Sequence, residues 1–227
     1  MSKTTAARAG CDTSDMNVVH SMFRLLLSRA VPLVREIPVG DTARAGVVVA
    51  HVQEIAHGLH DHHSTEDTYL GDDLAARAPG CALHVGLMRN QHAQVAALLD
   101  ELEPLLPELA RTATARDRDA AADALDRVRT TLETHLGDEE QTILPWVQET
   151  FSQQEWDVLG EVGRSKIPKD RMFVQLGHMM SAMSDAEARA WARANLPLPA
   201  RLAYLLVGRK QYEAEMRALF LAGVPAA

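Results

Sequence analysis

The chain is poor in aromatics: Phe, Trp and Tyr make up 4% of its 227 residues. Strands draw on aromatic and β-branched side chains, whereas Ala and Leu, which dominate here, are strong helix formers. The shortage points to an all-α fold. Cysteine is scarcer still, with Cys11 in an expected tail and Cys81 in an expected loop. Two cysteines exclude a disulfide framework, and without a Cys-x-x-Cys pair they exclude a thiolate zinc site. Positive charge is also short. A formal net charge of −8 argues against nucleic acid or an anionic membrane as partner, since either needs a basic patch. No apolar run is long enough to span a bilayer. The opening residues, MSKTTAARAGCDTSDM, lack the apolar core of a signal peptide. These absences lead to the expectation of a cytoplasmic protein. The length suits one domain with an appendage; the sequence is silent on oligomeric state.

What is present is a four-beat pattern. Breaks fall at Ile37-Pro38-Val39-Gly40-Asp41, at Ala78-Pro79-Gly80-Cys81, around Thr112 to Asp117, and at Leu144-Pro145. Asp41 or Thr42 can cap the helix that follows the first break. Between the breaks, apolar residues recur at alternating steps of four and three. The first stretch reads Met16, His20, Phe23, Leu27, Ala30, Val34. The second reads Val48, Val52, Ile55, Leu59, His62, Glu66, Tyr69. The third reads Val85, Met88, His92, Val95, Leu99, Leu102, and the fourth Leu125, Val128, Leu132, His135, Glu139, Thr142. That rhythm is the core stripe of helices packed nearly antiparallel. Short connections then imply an up-down-up-down four-helix bundle.

The exceptions in the stripes carry the chemistry. Each helix sets a histidine where a core residue belongs: His20, His62, His92 and His135. Glu66 and Glu139 each follow a histidine by one turn, on the same helix face. A buried carboxylate without a partner costs several kcal/mol, so two of them among four imidazoles need a shared counter-charge. A metal-free network of His–Glu hydrogen bonds could serve a single pair. The same pair on two helices, joined by two further histidines, points instead to two metal ions. Imidazole suits iron, copper, zinc and nickel, and carboxylates bridge metals in bundle cores. Two histidines for each metal and two shared glutamates leave coordination positions open.

These residues, His20, His62-x-x-x-Glu66, His92 and His135-x-x-x-Glu139, with the phrases HHSTED and HLGDEEQTILP, resemble the hemerythrin-like, HHE cation-binding family. The resemblance covers roughly residues 15 to 149. It implies a non-heme centre of two iron ions, oxo- or carboxylate-bridged, that binds or activates O2, peroxide or nitric oxide; manganese or a mixed pair stays open. Family carriers have a His-x-x-x-His pair on the third helix, where this chain has Met88 before His92. One histidine fewer implies a more open iron and favours reactivity over carriage. Carriers also space the last histidine and its carboxylate by five, which would select Glu140. The stripe period selects Glu139, with Glu140 in reserve.

Other residues have two readings each. Tyr69 could donate a proton or electron to an iron-bound oxygen species, or be a core aromatic reaching the bundle end. Arg89 could hold the carboxylate of a small substrate, or be a solvated surface residue. Gly58 could make room for a ligand or a neighbouring helix, or be a tolerated surface glycine. His51, His57, His60, His63 and His84 fall off the stripes and read as exposed or adjacent to the site, with His63 the substitute if the phase slips by one. Glu54-Ile-Ala-His57 is a lone Glu-x-x-His motif without the second copy a ferritin-like site needs.

Beyond the bundle, Ser152-Gln-Gln-Glu155 and Ser184-Asp-Ala-Glu187 read as capping boxes. A final helix is expected from Pro197-Leu-Pro199 to about Leu221, with His178 structural. The acidic chain makes a membrane-surface role for that helix unfavourable. The expected organisation is a flexible tail over 1–14, a hemerythrin-like bundle over 15–149, and a C-terminal helical extension over 150–227 that covers an open side or end. Functionally, this reads as an oxidoreductase that activates O2 or peroxide against a small-molecule substrate. The alternative is a non-catalytic carrier or sensor of O2, nitric oxide or iron.

Overall fold

The computed structural model describes residues 10–220, and it is all helix apart from turns and one isolated backbone bridge. The bundle is formed by α1 (Ser14–Arg35), α2 (Thr42–Glu66), α4 (Ala82–Leu102) and α6 (Ala115–Thr142). Three short helices lie in its connections: α3 (Asp72–Arg77), α5 (Leu105–Thr112) and α7 (Leu144–Thr150). A helix ends at or just before each expected break. Asp41 caps α2 by accepting from the Arg44 N–H, and Thr114 caps α6 by accepting from the Asp117 N–H. The first turn needs Gly40 at φ 84°, and its N–H donates to the Ala113 carbonyl across the bundle end at 2.9 Å.

The extension comprises α8 (Gln153–Ser165), α9 (Met172–Ser181), α10 (Asp185–Asn195), α11 (Leu198–Ala203) and α12 (Arg209–Leu219). Both expected capping boxes are present, at Ser152–Glu155 and Ser184–Glu187. α9 packs on α1, while α8 and α12 pack on α2. Met216 and Leu219 of α12 thereby join the core of the bundle. The last helix ends at Leu219; its expected end near Leu221 lies outside the described residues. At the other terminus, the part of the expected tail that is described is held down. Gly10 and Cys11 donate backbone hydrogen bonds to the carbonyls of Phe151 and Gln148, and Thr13 is fully buried.

Two apolar clusters fill the bundle. The larger runs from Phe23, Leu59, Val95 and Leu132 toward the Gly40 end. The smaller gathers Met16, Leu70, Met88, Ile143 and Trp156 at the opposite end. Every stripe passes from one cluster to the other through its histidine. The polar residues therefore form one layer between two dry ones, and each fully buried neighbour such as Leu59 contributes about 2–3 kcal/mol to holding that layer in place.

One stripe departs from its expected course. α2 runs on into a π-helical turn, Asp67–Gly71, before α3. A turn closed by i→i+5 bonds takes up one residue more than an α-turn, and the stripe passes to Leu70 and Leu74, both buried. Tyr69 is turned out to solvent, 47% exposed. It is not a core aromatic, and that reading of it is corrected. Gly71 lies against Arg89: a Cβ on it would come 2.8 Å from the guanidinium and displace the end of that side chain. Arg89 lies across that turn and pairs with Asp72 at 2.7 Å. It braces the π-turn from the surface. Gly58 makes no special room, since a Cβ there would meet Phe23 at an ordinary 3.9 Å.

Candidate metal centre

Within the polar layer the structure brings together every residue of the expected set. His20, Glu66, His92, His135 and Glu139 are all buried, and His62 is nearly so. It adds one that the stripes had set aside. His63 is buried, its ring stacked on His92 at 4.3 Å between centroids and edge-on to His135 at 4.8 Å. The reading of His63 as off-stripe is corrected, and so is the inference from Met88 of one histidine too few. Met88 is a buried member of the small apolar cluster, and His63 supplies the fifth imidazole from a different helix. A signal was available: Leu59, His63, Glu66, Leu70 and Leu74 keep helical spacing and are all buried, so His62 and His63 straddle one stripe.

All five imidazoles turn Nε2 inward, and none of these nitrogens has a hydrogen-bond partner. Both oxygens of Glu66 and of Glu139 are likewise unpartnered. Nine buried polar atoms without partners, each costing about 1–3 kcal/mol, are not a stable way to fill a core. They converge instead. Glu66 Oε1 faces His62 Nε2 at 3.2 Å while Oε2 faces His92 Nε2 at 3.5 Å. Glu139 Oε2 lies 3.5 Å from His20 Nε2 and 3.6 Å from His135 Nε2. The donors fall into two neighbouring groups, His63/His92/His135 and His20/His62 with Glu66. Each carboxylate faces imidazoles of both groups. The residues thus fit a buried cation centre.

The outer nitrogens are held as well. His92 Nδ1 pairs with Asp67 at 2.9 Å, and His20 Nδ1 pairs with Glu140 at 2.9 Å. His135 Nδ1 lies 3.3 Å from the Gln91 carbonyl oxygen, and Gln91 itself donates to Asp138. An acceptor at Nδ1 keeps the proton there and leaves the Nε2 lone pair aimed inward. Glu140 is therefore a support for His20 and does not reach the centre, so of the two candidate carboxylates Glu139 is the one inside. Arg24 anchors Glu140 at 2.6 Å. Asp67, Gln91, Asp138 and Arg24 were not legible as site residues, because stripe periodicity reports which side chains face inward and not what stands behind them.

Electrostatics point the same way. Burial, and then Glu139, push the Glu66 carboxyl well above its ordinary range, and burial raises Glu139 as well. Burial drives His62 and His63 well below the usual imidazole range, and takes His135 down to about 3. Glu140 is the exception. Burial opposes its charge, yet hydrogen bonds from His20 and Arg24 hold it at about 2. The pocket thus resists charge of either sign on its own side chains, and a bound cation would relieve the penalty on both glutamates.

The remaining histidines divide. His57 and His60 are exposed, and His57 pairs with Asp61. Glu54 binds Arg171, so the Glu54–His57 motif builds no site. His84 is partly buried, while His51, expected at the surface or beside the centre, is buried against α9 and α12.

No curated protein and no solved structure matches the chain. Among family models, that of the hemerythrin HHE cation-binding domain matches residues 12–147, which spans the four bundle helices and every residue of the polar layer. The chain belongs to the hemerythrin HHE cation-binding domain family.

Proposed function

We propose that the polar layer holds two iron ions and that this centre binds O2, or a molecule of similar size such as peroxide or nitric oxide. His63, His92 and His135 would hold one iron and His20 and His62 the other, with Glu66 and Glu139 shared between them. Bound there, a pair of irons supplies a redox couple and a site for a diatomic ligand. The protein's part is to set the ligands and keep the layer dry. Asp67, Glu140 and Gln91 fix three of the imidazoles, and the apolar clusters above and below exclude bulk water.

The observation that carries this reading is the convergence of five unpartnered Nε2 atoms and two unpartnered carboxylates in one buried layer. The fifth histidine also changes the balance between the functional readings. A more open iron no longer argues for catalysis, and a buried layer suits a ligand of a few atoms. Carriage or sensing is therefore the first reading. Oxidation of a small-molecule substrate keeps one observation in its favour. A surface groove of about 320 Å³ is lined by Ser21, Arg24, Arg129 and Glu133, and Arg24 connects it through Glu140 to His20. A substrate in that groove would sit one hydrogen-bond chain from the centre.

The test mixes anaerobic, reduced, iron-loaded protein with O2 and follows the visible spectrum. A change that reverses under argon supports binding. Irreversible oxidation, faster in the presence of small amines or acids, overturns it in favour of the oxidoreductase. Iron content tests the ligand set separately: two irons per chain in the wild type, and fewer in His62→Ala and Glu139→Ala.

A further inference from the structure

A second group of metal-type donors lies where the extension meets the bundle. His51 of α2, His178 of α9 and Glu215 of α12 place one donor atom each within 4.8 Å of one another. Both imidazoles are more than nine-tenths buried. They converge on one oxygen, Glu215 Oε1, with His178 Nε2 at 3.6 Å and His51 Nδ1 at 3.9 Å. Those separations are too long for hydrogen bonds. They match the 3.5 and 3.6 Å that separate imidazole nitrogens from Glu139 in the bundle centre. Two ligands about 2.0–2.1 Å from a tetrahedral ion lie somewhat over 3 Å apart, so small side-chain movements would complete the geometry.

The surroundings are built as a support. Arg171 donates to both oxygens of Glu215 and, through its other face, to Glu54, which also accepts from Gln175. The guanidinium fixes the carboxylate and leaves one lone pair on Oε1 free. With neutral imidazoles, two carboxylates against one guanidinium give the cluster a negative charge that a divalent cation would offset. The close approach of α9 and α12 is itself specified. A Cβ on Gly177 would clash with the Tyr212 ring, which packs edge-on against His178 at 5.2 Å. That glycine lets α12 approach and brings Glu215 beside His178.

We propose that His51, His178 and Glu215 form a separate mononuclear site for a borderline divalent cation of the zinc class, with water in the fourth position, stapling the extension to the bundle. Imidazole and carboxylate donors in a two-to-one ratio suit zinc. The ligands come from three helices that meet only in the folded chain, so binding the ion adds to the stability of the docked extension.

The experiment starts from iron-loaded protein equilibrated with Zn2+ and desalted, with zinc counted per chain by elemental analysis. The wild type is expected to retain one zinc more than His178→Gln or Glu215→Gln, and its affinity to exceed theirs at least tenfold. His62→Ala, altered only in the bundle centre, is expected to keep this zinc, which separates failure of this site from failure of the bundle reading. Equal zinc in the wild type and the extension variants overturns the proposal. If those variants do not fold, the wild type decides alone: a melting temperature unmoved by Zn2+ overturns it, and a rise reversed by a chelator supports it.

Discussion

Glu66→Leu is expected to change the protein in opposite directions with and without metal. Glu66 is 1% exposed, both its oxygens lack partners, and it faces both halves of the donor set. In metal-free protein it is a buried polar group that costs about 1–3 kcal/mol, which leucine of similar bulk does not incur. A further penalty depends on pH. The folded carboxyl titrates above its ordinary value of 4.5 because burial, and then Glu139, oppose its charge. Above pH 4.5 the unfolded chain releases this proton while the folded chain keeps it. Stability therefore falls as pH rises, by about 1.4 kcal/mol for each pH unit over which the folded group stays protonated. Leucine removes that slope. For a chain of this size, about 2–4 °C accompanies each kcal/mol, so metal-free Glu66→Leu should melt several degrees above metal-free wild type at pH 5, and further above it at pH 6. In the metal-loaded protein the order is expected to invert, since the variant lacks a carboxylate that the proposed centre uses. The assay is thermal melting at the two pH values, with chelator and with ferrous iron. A metal-free variant that melts below the wild type, or a gap that does not widen with pH, would refute the reasoning.

Three other outcomes follow from the same geometry. Glu140→Gln removes the charged acceptor behind His20 and is expected to weaken iron binding about 10–100-fold while leaving the metal-free fold intact, as measured by competition with a chelator. In metal-free protein, docking of the extension should weaken in acid. Burial, and then His178, take His51 down to about 4 from 6.5, with Glu54, Glu215 and Arg171 also facing it. Between those values the released chain takes up a proton that the docked chain refuses, and up to about 3 kcal/mol is lost as pH falls from 6.5 to 4; faster amide exchange in α9 and α12 at pH 4.5, corrected for intrinsic rate, is the readout, and unchanged protection would count against it. Tyr69→Phe should leave iron content and the O2 response unchanged, because the ring is turned to solvent away from the layer.

The sequence by itself determined the architecture. Steps of four and three in an Ala- and Leu-rich chain admit little but helices, and the breaks at Gly40, Pro79 and Thr114 leave them no option but to fold back on one another. It also determined six of the seven inward donors, because His20, His62, Glu66, His92, His135 and Glu139 interrupt stripes that are otherwise apolar, and an interruption in a core stripe is visible as such. Periodicity has a resolution of about one residue, however, and adjacent positions on a helix lie 100° apart. His62 and His63 fall on either side of one stripe; the spacing of Leu59, His63 and Glu66 hints at the second, and the packing of His62 against α1 and of His63 against α4 and α6 shows that both turn inward. The π-turn that exposes Tyr69 and buries Leu70 is a departure from the α period itself and has no periodic signature. What stands behind each imidazole, and the meeting of His51 with His178 and Glu215, join residues far apart along the chain; helix-to-helix contact decided those, and no local pattern encodes them.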